Sequence, residues 1–489
     1  IDKESEKNKT MKKNMLLNAI KGIMSLMFPL ITFPYISRVL GVENIGRVNF
    51  SNSVVSYFIL LGGFGITSYA TREGSRTRHN RDEFNQFANE VFSINIVTAI
   101  LAYILLFAIT IRGKDLHEYA VLIFIYSITI AFNVLSVEWV YTAYEEYAYI
   151  ALRSIIFQIV SIALMFLLVR DKSEFSTCMY VSISVIANAG AGILNFTKSR
   201  KYCHIHLVTT LHLSKHFKSM LIFFGTALIS TIFVSSDTTI LGLLCGDKSV
   251  GIYSVAVRIY TIVKTLLTSL IMVSVPKLSE LYLEQNNVDF KKVSEDVLNI
   301  LVTFLLPAMV GIVLMRKEIV CIISGNEYLA SSSPLAMLSI ALIFSVGSLF
   351  YGQCILIPCK KESINLYAAI ICAVANVALN FVLIPRWAEN AAAFTTVVAE
   401  AIGFFIFWYN SRKLFKYPEE YKTVLKVMVG CLGIVIVCLA IKSFVKDSII
   451  CLMFSISMSV LVYLLIEILC KNQAVYDVLK DIKSKVMRK

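Results

Sequence analysis

The stretch IVTAILAYILLFAITIRGKDLHEYAVLIFIYSITI, residues 96–130, holds two apolar runs parted by the patch Arg112-Gly113-Lys114-Asp115-Leu116-His117-Glu118. Such runs have the length an α-helix needs to cross ~30 Å of hydrocarbon, about 20 residues. The alternation fills the chain. Of its 489 residues 57% are hydrophobic and 16% charged, against roughly 45–50% and about 25% in soluble domains. A soluble fold would have to hide that apolar surface in a core, whereas long runs separated by short charged patches suit a bilayer. The pattern predicts spans near 15–37, 48–70, 85–111, 119–141, 149–169, 176–197, 219–241, 250–273, 296–315, 334–357, 364–384, 391–411, 422–441 and 448–470. The fold class is all-α integral membrane, with about fourteen transmembrane helices.

The first run contains Lys21, Pro29 and Pro34 and no small-x-small cleavage site, so it reads as a retained helix rather than a signal peptide. Residues 1–10 precede Met11-Lys12-Lys13-Asn14, which reads as a natural start. Basic residues gather at the N-terminus, in the even-numbered loops and in the tail. Examples are Arg72, Arg76, Arg78 and Arg81 after span two, and Lys480, Lys483, Lys485, Arg488 and Lys489 at the end. This bias places both termini in the cytoplasm, with the clusters facing anionic lipid headgroups. Topology thus accounts for the net charge of +13 without nucleic acid. Eleven cysteines without a CxxC read as small buried apolar residues, with no disulfide and no cofactor implied.

The basic connector 198–218 divides the first twelve spans into six and six. Gly41 to Gly46, after span one, and Gly246 to Gly251, after span seven, share Gly-x-x-x-[Ile/Val]-Gly at an offset of 205 residues. The expected organisation is a cytoplasmic segment 1–14, a six-helix lobe 15–197, a cytoplasmic connector 198–218, a pseudo-symmetric six-helix lobe 219–411, an extra C-terminal helix pair 412–470 and a basic cytoplasmic tail 471–489. Two such lobes can rock about a central site, so membrane transport is the economical inference.

Pro34-Tyr35-Ile36-Ser37-Arg38-Val39-Leu40-Gly41, running into Ile45-Gly46-Arg47-Val48-Asn49-Phe50, resembles the opening signature of Wzx-type polysaccharide flippases. These belong to the multidrug/oligosaccharidyl-lipid/polysaccharide exporter superfamily. Three further stretches agree: Glu138-Trp139 with Tyr144-Glu145-Glu146-Tyr147; Asp237 with Gly251-Ile252-Tyr253-Ser254 and Pro276-Lys277-Leu278-Ser279; and Asn376, Asn380, Ile384-Pro385, Ala391-Ala392-Ala393 and Glu400. The chain departs from the pattern at Ala143-Tyr144 and at Asn390-Ala391, where glycine is commoner. The resemblance implies transfer of undecaprenyl-diphosphate-linked oligosaccharide across the bacterial cytoplasmic membrane for O-antigen, capsule or exopolysaccharide, with polysaccharide polymerase machinery as a partner.

A diphosphate cannot cross hydrocarbon without a polar, cationic path, which directs attention to bases inside spans. Lys21 shares a helical face with Asn14, Asn18, Ser25 and Pro29; it lines a cavity or snorkels to the headgroups. Arg258 shares a stripe with Ser254, Thr261, Thr265 and Thr268, and its planar fork suits a diphosphate. Lys264, six residues on and about 240° around the helix, faces elsewhere. Each has an ion pair or interfacial anchor as its alternative. The related lipid II flippases likewise carry basic residues on helices one and eight, by analogy only. Asp237 and Glu400 are ion-coupling candidates, or else pair with these bases. His212 and His216, four apart near Cys203, His204 and His206, invite a zinc reading, against which stands that of a basic interfacial loop; no metal is assigned.

No Gly-x-x-x-x-Gly-Lys-[Ser/Thr] occurs, so the chain carries no ATP-hydrolysing P-loop. A multidrug or organic-cation antiporter of the same superfamily calls for an acidic pocket rather than in-span bases. A polysaccharide polymerase or ligase calls for a large outer loop, and an O-acyltransferase for an intramembrane base, yet all six histidines lie outside the spans. The reading is of a transporter, not an enzyme.

Overall fold

A computed structural model describes the backbone of residues 2–415 and 420–476 and of Lys480, and the side chains among them except at 2–21, 23, 25, 26, 420 and 421. Fifteen α-helices follow in order: α1 (Asp2–Gly63), α2 (Ile66–Thr77), α3 (Arg81–Arg112), α4 (Lys114–His117), α5 (Ala120–Ser136), α6 (Glu138–Ala143), α7 (Tyr147–Leu168), α8 (Glu174–Ser199), α9 (Leu213–Cys245), α10 (Asp247–Leu283), α11 (Asn287–Ser324), α12 (Ser332–Leu349), α13 (Glu362–Arg412), α14 (Glu420–Phe444) and α15 (Ser448–Leu469). Among the described residues there is no strand.

Among the described residues, twelve helical stretches are long and apolar enough to cross a membrane. Two of them, Met27–Thr77 and Glu362–Arg412, have 51 residues each, and a helix of that length would run about 77 Å, far beyond one bilayer. Each is broken in a way its sequence explains. Gly41 takes φ 78°, ψ 176°, a conformation glycine adopts without a Cβ clash. Ala388 takes φ 46°, three residues after Pro385. Each therefore carries two passes, and the total is fourteen. The apolar runs mark the hydrocarbon depth rather than the helix ends: the span near 296–315 belongs to a helix of 38 residues that continues through a kink at Met315 to Ser324. The interval between the spans predicted near 296–315 and 334–357 is thus mostly helical.

The chain gathers into two compact units, Ile1–Gly251 and Ile252–Lys489. In the first, α1 packs against α3, α5, α7 and α9, and α5 against α8. Ile36, Leu40, Ile45, Met165, Val169 and Ile183 form one of its cores. Gly246 repeats the backbone of Gly41, at φ 79°, ψ −177°, so the two glycine motifs share a conformation as well as a pattern. In the second unit α12 packs on α13, and α11 on α14 and α15. Met315, Val427, Cys431, Ile434, Cys438, Cys451 and Tyr463 fill the space among the last three. Seven cysteines are buried, and all eleven are free.

Candidate functional site

In the second unit, one face of α10 meets the second leg of α13. Tyr253, Tyr260 and Lys264 lie seven and four residues apart and so share a helical face. Opposite them stand Thr396 and Glu400, one turn apart. The Tyr253 and Thr396 hydroxyls are 3.3 Å apart. Lys264 Nζ lies 2.9 Å from Glu400 Oε1 and donates to Tyr260 Oη at 3.3 Å. The Tyr260 hydroxyl donates to the same Glu400 oxygen at 3.2 Å. With side chains 25% and 11% exposed, the two charges cancel where neither could stand alone cheaply. The structure therefore brings together one candidate base and one candidate acid. Asn376 and Asn380, on the first leg of α13, are fully buried. Thr395 on the second leg donates to Asn380 Oδ1 at 2.5 Å, tying the two legs across the break.

Arg258 is half-buried on α10 and precedes Lys264 by six residues. Its stripe of hydroxyls is open: Thr261 and Thr265 are exposed, Ser254 and Thr268 half-buried. The Thr265 and Thr268 hydroxyls are spent on the helix's own carbonyls, Thr261 O at 2.7 Å and Lys264 O at 2.9 Å. Lys21 lies on α1, and its side chain falls outside the described residues.

Asp237 is buried on α9 in the first unit. It borders a seam of hydroxyls between α1 and α9: Thr239 donates to Ser53 Oγ at 2.9 Å, Ser56 donates to Ser235 Oγ at 3.1 Å, and Tyr57 meets Thr239 at 3.3 Å.

The connector is pinned along α3. The backbone N–H groups of His204, His206 and Val208 donate to Asn85 Oδ1, Asn89 Oδ1 and Ser93 Oγ, at 3.0, 2.9 and 2.9 Å. The registers agree because four residues of helix rise about 6.0 Å and two of extended chain about 6.6 Å. Beyond this ladder, Glu90 bridges two histidines: its Oε1 is 3.0 Å from His212 Nδ1 and its Oε2 is 2.7 Å from His216 Nε2. Gln86 Nε2 adds a third donor at 3.0 Å, and the Tyr69 hydroxyl takes His216 Nδ1 at 2.6 Å. Both nitrogens of His216 are engaged, and none of its lone pairs remains for a metal. Among the described residues, no group of three or more His, Cys, Asp or Glu is arranged to hold one. Burial pushes the Cys203 thiol up to about 12, away from the thiolate a metal requires.

Sequence reasoning missed Glu90 and Arg153. Both are ionisable residues a few positions inside an apolar run, near the ends where loop assignment begins. Arg153, 6% exposed, donates from Nη2 to Glu138 Oε2 at 2.7 Å.

Residues 11–282 match the family model described as polysaccharide biosynthesis protein. The chain belongs to this family. Of the stretches that resemble polysaccharide flippases, all but the one around Asn376 to Glu400 fall inside the matched range. The chain is 24% identical to the "Putative O-antigen transporter" of Escherichia coli (strain K12) over 317 residues, 64% of this chain and 70% of that one. It is 22% identical to the capsular polysaccharide biosynthesis protein CapF of Staphylococcus aureus over 411 residues, 83% of this chain and all of CapF. The fold is that of the lipid II flippase MurJ in its inward closed conformation, with a TM-score of 0.77, 18% identity and coverage of 94% of this chain and 99% of MurJ.

Proposed function

We propose that this polysaccharide biosynthesis family member moves undecaprenyl-diphosphate-linked oligosaccharide repeat units across the bacterial cytoplasmic membrane, by alternating access between six-helix lobes 15–197 and 219–411. Both termini and the connector 198–218 lie on the cytoplasmic side. The observation that carries this reading is the fold, which is similar to that of a lipid flippase over 94% of the chain. Glycans of this kind cannot cross hydrocarbon with their charges desolvated. A path flanked by Arg258 and its hydroxyl stripe offers the diphosphate a planar cationic partner. Lys264, already matched by Glu400, contributes as half of a neutral pair. Asp237 remains the candidate for ion coupling, and the polymerase that consumes the flipped unit is the natural partner.

Deleting the gene tests the reading. Lipid-linked repeat units should accumulate facing the cytoplasm, and surface polysaccharide should fall. Surface polysaccharide unchanged in the deletion strain would falsify it.

A further inference from the structure

The first unit contains a cavity of about 380 Å³ where two apolar helices break. One break separates α1 from α2 at Phe64 (φ 40°) and Gly65 (φ 71°); the other separates α5 from α6 at Val137 (φ 33°). Both line the same cavity. Irregular backbone at bilayer depth is tolerated where it lines a water- or ligand-filled space, and interrupted helices mark binding sites in transporters.

The two ends of the first break are treated differently. The carbonyl end is closed by the protein: Asn95 and Thr98 on α3 both donate to Gly62 O, at 2.8 and 2.7 Å. The N–H end has no such closure by side chains, although the α9 backbone at Met220 and Phe224 packs against Gly65. Helix α2 begins without a side-chain cap, and the first N–H groups of a helix have no partner within it. Around this opening stand Thr67, Ser68, Asn133, Ser136 and Glu138. Thr67, Ser68 and Asn133 are exposed and Ser136 half-exposed. The Glu138 carboxylate, 37% exposed, is held at one oxygen by buried Arg153 at 2.7 Å.

These groups discriminate among ligand classes. An anion would meet the second Glu138 oxygen, which can only accept, its charge already matched by Arg153. A cation would face the positive end of α2. An apolar group would leave amides and hydroxyls unsatisfied. A neutral polyhydroxylated ring fits, because each hydroxyl both donates and accepts, and the volume lies within the ~300–1,000 Å³ of small-molecule pockets. We infer that this cavity is a saccharide subsite, in which Asn133, Ser136 and Glu138 hydrogen-bond hydroxyls of one sugar ring and the start of α2 donates to another of its oxygens. The inference rests on the flippase reading and names the part of the cargo that the first unit holds.

The test uses the full chain in lipid nanodiscs with two probes: undecaprenyl diphosphate without sugar, and the lipid-linked oligosaccharide extracted from the host strain deleted for this gene. The wild type binds the sugar-bearing probe at least tenfold more tightly than the bare one. Asn133→Ala and Glu138→Gln each weaken the sugar-bearing probe by about tenfold, the equivalent of one hydrogen bond, and leave the bare probe unchanged. Ser136→Ala weakens it about threefold, and binding of the bare probe reports that each variant is folded. If the wild type binds both probes alike, or if Asn133→Ala and Ser136→Ala both preserve the difference, the subsite is overturned while the flippase reading stands. If neither probe binds the wild type, the flippase reading falls and the subsite with it.

Discussion

Gly46 stands so close to Asp247 that a Cβ added to it would lie 1.9 Å from the Asp247 carbonyl oxygen. The relationship is reciprocal: a Cβ on Gly251 would lie 2.1 Å from the carbonyl oxygen of Val42. The offset of 205 residues that relates the glycine motifs maps Val42 onto Asp247 and Gly46 onto Gly251. Each motif thus presents its second glycine to the equivalent backbone of the other, an approach that only small residues allow.

Gly46→Ala and Gly251→Ala should each cost about 1–3 kcal/mol through overpacking against backbone that cannot yield. Gly225→Ala, inside α9 with nothing within 4 Å of its added Cβ, should be neutral or slightly stabilising. Thermal unfolding in detergent checks this, and equal melting of all three variants would remove the steric argument.

Glu400→Ala leaves the Lys264 ammonium with the Tyr260 hydroxyl alone, which predicts a loss of about 2 kcal/mol for a pair only partly screened from solvent. The double substitution Lys264→Met with Glu400→Leu should recover part of it, since the two effects are coupled. A double-mutant cycle in thermal unfolding reads the coupling; strict additivity would mean the 2.9 Å contact carries no energy.

Glu90→Gln replaces two acceptor oxygens by one, so the side chain can no longer hold both His212 and His216 as acceptor. Hydrogen exchange over residues 204–212 should rise at least tenfold, because opening of the connector no longer breaks the same bonds. Protection equal to that of the wild type would show that the ladder to Asn85, Asn89 and Ser93 suffices.

Arg258→Ala should abolish complementation of a deletion strain, and Arg258→Lys should retain part, since lysine keeps the charge but not the fork. Normal complementation by Arg258→Ala at native expression would dismiss the cationic path. A reporter fused after Lys218 should read cytoplasmic.

The apolar runs made the helices legible, because a hydrocarbon-crossing segment needs length and composition alone. The glycine echo was legible as a pattern, while its meaning lay in a backbone contact between residues 201 apart, Gly46 and Asp247. Lys264 and Glu400 could each be picked out as ionisable groups within spans. Their pairing was open only as one alternative, since helical spacing says which face a residue occupies and not which helix it meets across 136 residues. Glu90 escaped because a carboxylate near a span end resembles a loop residue until the connector folds onto it. The cavity at Gly65 and Val137 escaped for a different reason: both breaks lie inside the runs read as spans 48–70 and 119–141, and Val137 is a residue type that gives no sequence signal for a turn.

The ladder between α3 and the connector makes connector length a discrete quantity. Alternate amides, at His204, His206 and Val208, meet every fourth side chain of α3. Adding or removing one residue between His204 and Val208 turns the opposite edge of the extended segment towards the α3 side chains and presents carbonyls where N–H groups are required. A change of two residues keeps the alternation and restores the match. The length of this segment thus matters in steps of two, a parity rule set by three side chains of α3.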